Sequence, residues 1–271
     1  MAAISFTWID SEANETALTD GTSSRVIDYS GLGMAPLTHF LEGVPSQHRQ
    51  AHRGLKFRPR VVQLAIWDAR ASATAQDARH STLLAAFNPD KGEGILKIVL
   101  SDGSTTRYLD CYVQEGPDFR SEDRPQWGQQ QLYTVRFVAR DPFLYDPSQN
   151  SESDSLNGAT PVDIAVSNSG HIGAYPTISI AVGAENPKIE LVSTGEYIEF
   201  ESYTVPAGGP LNIDCWAGTV KLADGTSKMS ELKKESTFFY LPRGADSLRL
   251  TAAAGANQLV TVTWYNRYLG I

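Results

Sequence analysis

Two histidines four positions apart are the first residues in this chain whose spacing suggests chemistry. On a helix, His48 and His52 would share one face, where two imidazoles can hold a metal ion. The position that a zinc peptidase fills with a glutamate base is Arg49, and Gly54 and Pro59 interrupt the segment. These residues favour an exposed loop over a metal centre. Glu199 and Glu201 are two apart, which in a strand turns both carboxylates to one side. Glycosidases use carboxylate pairs. The same alternation with Ile198 and Phe200 also describes a half-solvated sheet, and that reading is preferred. Gly31-Leu32-Gly33 begins like a dinucleotide loop, but Pro36 stands at the third glycine position. Proline has no N–H for a phosphate, so the segment reads as a turn. No Walker sequence and no Gly-x-Ser-x-Gly elbow occurs. The residues predict no catalytic group, no cofactor and no metal.

Surface chemistry is more distinctive. Arg49, Arg53, Lys56, Arg58 and Arg60 follow one another with no acid between them. A local positive stretch in an acidic chain suits an acidic partner surface, although charge runs are often only solvated. The segment between Gln114 and Gln131 is long for a hairpin and carries Trp127 among polar residues. An exposed aromatic there would anchor an interface, and one folded back would cover the sheet. Tyr203 and Trp216 could stack on a sugar ring, in competition with a place in an aromatic-rich core.

Composition sets the frame for these candidates. The chain has 271 residues, a formal charge of −8 and 41% apolar residues, a soluble globular balance with enough length for a buried core. Its pI of about 5.1 argues against a general nucleic-acid binder. No run approaches the length of a membrane-spanning helix, and the opening residues lack a signal-peptide pattern. The two cysteines, Cys111 and Cys215, cannot make a disulfide framework, and a reducing cytosol is the simplest place of assembly.

The elements that must position these groups are mainly β. Residues 1–145 read as an α+β domain. Ile4, Phe6 and Trp8 alternate, and 61–67 form a buried strand. Residues 71–87 form a helix stopped by Asn88-Pro89. Strands 95–100 and 105–114 flank Ser101-Asp102-Gly103-Ser104, a hairpin signal, and 133–139 alternates again. Residues 146–160, DPSQNSESDSLNGAT, read as a linker. Residues 161–271 hold short strands near 175–181, 188–193, 196–201, 211–215, 218–222, 236–240, 247–252 and 258–265. A short helical turn fits 230–234. That spacing predicts a β-sandwich or jelly roll.

The order of these features resembles the distal tail proteins of long-tailed phages with non-contractile tails. The likeness runs through Arg60–Trp67, Leu83-Leu84-Ala85-Ala86-Phe87-Asn88-Pro89, Gly94-Ile95-Leu96-Lys97-Ile98, Asp102–Leu109, Leu132–Ala139 and Arg140-Asp141-Pro142-Phe143-Leu144-Tyr145. It continues through Tyr175-Pro176-Thr177-Ile178-Ser179-Ile180, Glu185-Asn186-Pro187-Lys188-Ile189, Thr194-Gly195-Glu196 and Val262–Ile271. The resemblance implies a ring-forming first domain and a galectin-like second domain. It implies a hexamer joining the tail tube to the tail hub and adhesion device, with no catalytic residue inherited. Its location would be the tail tip of the virion, after assembly in the host bacterial cytoplasm. Host glycan is a further partner for some members. The rival readings are a carbohydrate-binding module, a glycoside hydrolase with an appended sandwich, and another tail component such as a tube protein.

Overall fold

The computed structural model describes residues 4–43, 48–119, 130–157, 160–254 and 256–271. The chain forms two compact units, Met1–Pro147 with Leu269–Ile271, and Ser148–Tyr268. The polypeptide thus leaves the first unit, builds the second and returns.

In the first unit the strands are β1 (Ser5–Ile9), β2 (Glu15–Ala17), β3 (Ser24–Ser30), β4 (Leu37–Gly43), β5 (Gln50–Phe57), β6 (Arg60–Ala69), β7 (Gly94–Val99), β8 (Thr106–Glu115), β9 (Gln130–Ala139) and β10 (Leu144–Tyr145). Apart from β4 and β5, which pair with each other, they run antiparallel in the order β2-β1-β7-β8-β9-β6-β3, with β10 against β8. The long strand β8 serves two neighbours. Thr106–Cys111 pair with β7, and the residues from Tyr112 pair with β9 after a shift in partner. The β7–β8 hairpin closes as its sequence predicts. The Asp102 carboxylate accepts from the backbone N–H groups of Ser104 and Thr105 at 3.0 and 2.8 Å, and Gly103 takes a positive φ of 71°, which glycine adopts at no steric cost.

The helix α1 spans Ala73–Ala86, inside the predicted 71–87. Ser72 caps its start by accepting from the Ala75 N–H. Gln76, His80, Leu83 and Ala86 form its buried face, a stripe at helical spacing. Trp8 donates its indole N–H to the Ala86 carbonyl at 3.0 Å, satisfying one of the acceptors that a helix end leaves open. The Trp8 ring stacks on Phe137 and leans on Phe87, joining β1, β9 and the helix end in one core. Asp68 is fully buried. Its carboxylate accepts from Ser24, from Arg70 at 2.6 Å and from Gln76 at 3.1 Å, as a buried charge requires.

The second unit is a sandwich of two antiparallel sheets. Its strands are β11 (Asn150–Asn157), β12 (Val162–Asn168), β13 (Thr177–Ile180), β14 (Lys188–Leu191), β15 (Tyr197–Glu199), β16 (Leu211–Asp214), β17 (Thr219–Leu222), β18 (Gly244–Thr251) and β19 (Ala256–Trp264). One sheet runs β11-β19-β13-β16-β17 and the other β12-β18-β14-β15. Inward residues of both sheets, among them Ile164, Ile178, Ile189, Ile198, Ile213, Leu250 and Val262, form one apolar cluster.

Two expectations change here. The segment 146–160 is not a linker throughout, because Asn150–Asn157 pairs with β19 from Asn150 opposite Trp264 to Asn157 opposite Ala256. It is an edge strand that buries only Leu156, so backbone hydrogen bonds hold a segment whose side chains are polar and solvated. The expected strand at 236–240 is irregular chain. Phe239 still enters the core, and Leu241 makes an isolated bridge to Ala174.

Candidate assembly surface

Of the basic run, Arg53 and Lys56 lie on β5, with Arg49 just before it and Arg58 just after, and among the described residues β5 pairs only with β4. The base of this hairpin is fixed. Leu37 lies opposite Phe57, Arg58 donates its backbone N–H to the Pro36 carbonyl at 2.7 Å, and the Phe57 ring meets Phe143 edge-on at 4.9 Å. Beyond the base the hairpin is open to solvent. Phe40, Leu41 and Leu55 are 51%, 54% and 50% exposed. A lone two-stranded hairpin is marginal in water, and clustered exposed apolar residues mark an interaction surface.

A one-residue bulge shapes the two faces. Phe40 lies opposite Gly54 but Leu41 lies opposite His52, so Arg53 is the extra residue. Gly54 carries the associated φ of 150°. His39 Nδ1 and His52 Nε2 are 3.1 Å apart. Arg53 forms an ion pair with Glu42, Arg58 Nε donates to Thr38 Oγ1 at 2.5 Å, and Arg49 and Lys56 are exposed. His52 therefore finds an imidazole partner, but it is His39 across the hairpin and not His48 along a helix. Trp127 lies outside the described residues.

Arg60, the last cation of the run, departs from the rest. It is fully buried and donates to four backbone carbonyls: Gly31, Pro142 and Leu269 at 2.6 Å each and Gly33 at 2.7 Å. Burial pulls its pKa down to about 10. It is an internal clamp, unavailable to a partner. Position 31 must be glycine, because a Cβ there would strike the Val61 carbonyl. The expected turn at Gly31-Leu32-Gly33 thus supplies acceptors to a cation, the reverse of a phosphate cradle.

In the second unit the two stacking candidates separate. Tyr203 is buried against Phe200 and presents no free ring face, which removes it as a sugar platform. Trp216 is 60% exposed. The Asp214 carboxylate accepts the Trp216 and Ala217 N–H groups at 2.9 Å and so shapes its turn. Tyr175 meets Trp216 at 4.9 Å between ring centres, Tyr240 lies 6.1 Å from Tyr175, and the Arg267 guanidinium is 5.0 Å from the Trp216 ring. Sequence reading missed Tyr175, Tyr240 and Arg267 as companions of Trp216, because positions 175, 216, 240 and 267 meet only through the sandwich topology. It also missed His39, Phe40, Leu41 and Leu55. Leu37 and Leu41 share one face, but Phe40 on the other breaks the apolar alternation and leaves no clear period of two to read.

Glu199 and Glu201 do not make an acid–base pair. Glu199 is held by Lys233 at 3.1 Å, and Glu201 is exposed. Among the described residues no three metal-ligating side chains converge, and no helix is long and apolar enough to cross a membrane.

The described residues define a class by fold: a protein of two β-rich units, the second made of two antiparallel sheets around one core. Residues 169–268 match the family described as siphovirus-type tail component, C-terminal domain. The chain superimposes on the crystal structure of the SPP1 Dit protein, described as a paradigm of the hub adsorption apparatus in phages infecting Gram-positive hosts. The TM-score is 0.72 at 15% identity, covering 98% of this chain and 99% of that one. A chain of the phage P2 baseplate, in its activated conformation with Ca, gives a TM-score of 0.57 at 9% identity, over 99% of this chain and 100% of that one. The baseplate with Sr gives 0.53 at 10% identity, over 100% of both chains. No curated protein matches the sequence. The chain has the Dit fold, and it resembles the distal tail proteins of siphovirus-type phages in both units.

Proposed function

We propose that this protein is a structural component of a phage tail tip, a distal tail protein. Six copies close a ring that joins the tail tube to the tail hub and host-adhesion device. The observation that carries this reading is the likeness to the Dit protein along 98% of the chain, both units in the same order. The protein works through its surfaces and not by catalysis. It is made in the host bacterial cytoplasm and resides in the virion.

The surface chemistry supports this role. A ring of identical subunits needs a patch that meets a different patch on the next copy. The β4–β5 hairpin offers exposed Phe40, Leu41 and Leu55 beside Arg49, Arg53, Lys56 and Arg58, and a chain of net charge −8 offers acidic ground for those cations. Each copy also brings its negative charge to the ring, and a non-basic lumen would let DNA pass without multi-phosphate adhesion. Native mass spectrometry and negative-stain imaging of the full chain, alone and with the tube protein, test the reading. A hexameric ring is the expected result. A monomer that never assembles under either condition overturns it.

A second reading has one observation in its favour. The exposed Trp216–Tyr175–Tyr240 cluster with Arg267 could seat host glycan on the second unit, through stacking and a cation. Glycan-array binding by the full chain, lost in Trp216→Ala, would favour it. A ring without sugar affinity would favour the adaptor alone.

A further inference from the structure

The geometry points to a two-histidine metal clamp on the β4–β5 hairpin, formed by His39 Nδ1 and His52 Nε2 and taking a divalent ion of the zinc, nickel or copper kind. The argument rests on the hairpin alone and is independent of the tail-tip reading.

The bulge builds this pair. In an unbroken antiparallel register starting from His39 opposite Leu55 and Phe40 opposite Gly54, position 53 would face Leu41. His52 would then stand one residue further on and point to the other side of the hairpin, since a slip of one residue exchanges the faces. The extra residue, Arg53, places His52 opposite Leu41 instead. His39 and Leu41 are two apart in β4 and share a face, so His52 joins them. The two imidazoles become diagonal neighbours on that face, each opposite a leucine. Their ring centres are 5.3 Å apart and the planes meet at 58°.

The nitrogen spacing fits a shared ion. With metal–nitrogen bonds of about 2.0–2.1 Å, donors on one ion lie roughly 2.9 Å apart at a right angle and roughly 3.4 Å apart at the tetrahedral angle. The observed separation is 3.1 Å, between those limits. Neutral imidazole is a borderline-soft donor suited to zinc, copper and nickel and poorly suited to calcium or magnesium.

The neighbouring cations do not crowd this face. Arg53 is paired with Glu42, and Glu42 follows Leu41 on the opposite side. Lys56 lies opposite Thr38, two residues before Phe40 and likewise on the other face. Among the described residues no third metal-ligating side chain joins the pair, so water completes the coordination of a bound ion.

The test is zinc titration of the full chain by calorimetry, with His39→Ala, His52→Ala and His48→Ala in parallel. One zinc per chain is expected. Loss of His39 or His52 should weaken binding by at least the roughly 10–100-fold that loss of an outer-shell partner costs, and His48→Ala should bind as the parent does. All three positions are exposed, and far-ultraviolet circular dichroism checks that each variant is folded. Copper loaded at one equivalent should show two coordinating imidazole nitrogens by electron paramagnetic resonance, falling to one in either single variant. A chain that takes up no zinc, with the pair making only an N–H···N hydrogen bond, overturns the assignment. So does binding that survives in both His39→Ala and His52→Ala, or that disappears in His48→Ala.

Discussion

The Arg60 guanidinium donates to the carbonyl of Leu269, 2.6 Å away and 209 positions later in the chain. The same side chain binds Gly31, Gly33 and Pro142, while the Ile271 N–H reaches the Leu32 carbonyl at 3.0 Å. One buried cation therefore gathers the 31–33 turn, the start of β6, the segment before β10 and the returning chain. Lysine has one ammonium and cannot reproduce this fork. Arg60→Lys should lower unfolding stability by about 3 kcal/mol, given about 1.5–3 kcal/mol for each hydrogen bond to a charged group. Arg60→Ala should lower it further. Urea unfolding of the full chain measures both, and a change under about 1 kcal/mol for Arg60→Ala would contradict the clamp.

Gly31 should tolerate no side chain. A Cβ there would lie 1.9 Å from the Val61 carbonyl oxygen, and its φ is 86°. Gly225 has the same φ with nothing within 4 Å. Gly225→Ala should cost only the left-handed penalty of about 1–2 kcal/mol. Gly31→Ala should add displacement of β6 and exceed about 3 kcal/mol. Equal effects of the two substitutions in urea would show that the contact with Val61 is not limiting.

Legibility from sequence followed the source of each element's stability. The α1 helix could be read because its alanine-rich run and its Asn88-Pro89 stop are local signals, while the reading from 71 passed over the Ser72 cap that sets its start. The β7–β8 hairpin could be read because Asp102-Gly103 fixes its turn. The strand β11 could not, since a row of Ser, Glu and Asp side chains says nothing of the backbone partner it finds in β19. The hairpin β4–β5 is exposed on both faces and lacks a clear period of two. His39 and His52 meet only because a bulge changes the register. Tyr203 and Trp216 looked alike as aromatic residues, and only packing buries one and exposes the other.

Charge reversal on the hairpin should separate assembly from folding. An exposed ion pair is worth roughly 0.2–1 kcal/mol, so Arg53→Glu with Lys56→Glu should shift the melting temperature of the isolated chain by no more than about 4 °C. Ring formation and tube docking should weaken together, read by native mass spectrometry and by pull-down with the tube protein. Unchanged assembly would remove the basic run from the interface.

Acid should weaken the first unit at β1. The Lys91 ammonium, 2.6 Å from Asp10, is the main influence holding the Asp10 carboxyl down at about 2. Burial opposes it, and the Asn14 and Glu12 N–H groups add to it. The folded pKa lies below the unfolded value near 3.8, so this contribution is complete above about pH 4 and is lost as the pH falls toward 2. Asp10→Asn should lower stability at neutral pH and flatten its decline between those limits. A parallel decline in parent and variant would assign the acid sensitivity elsewhere.

The two thiols should be silent in the folded protein. Cys111 and Cys215 are free and buried. Burial is the main cause that pushes Cys111 well above the ordinary thiol range and Cys215 up to about 12, which withholds the reactive thiolate. A thiol-specific chromogenic reagent should label neither in buffer and both in urea. Rapid labelling of either in buffer would place it at the surface.

The second unit begins after Pro147 and ends before Leu269, and the residues on both sides of it belong to the first unit. A pull on that unit is therefore shared by two peptide crossings in parallel, and the returning crossing is anchored where the Leu269 carbonyl accepts from Arg60. A protease that nicks one crossing leaves the halves joined by the other, so loss of the module takes two cuts.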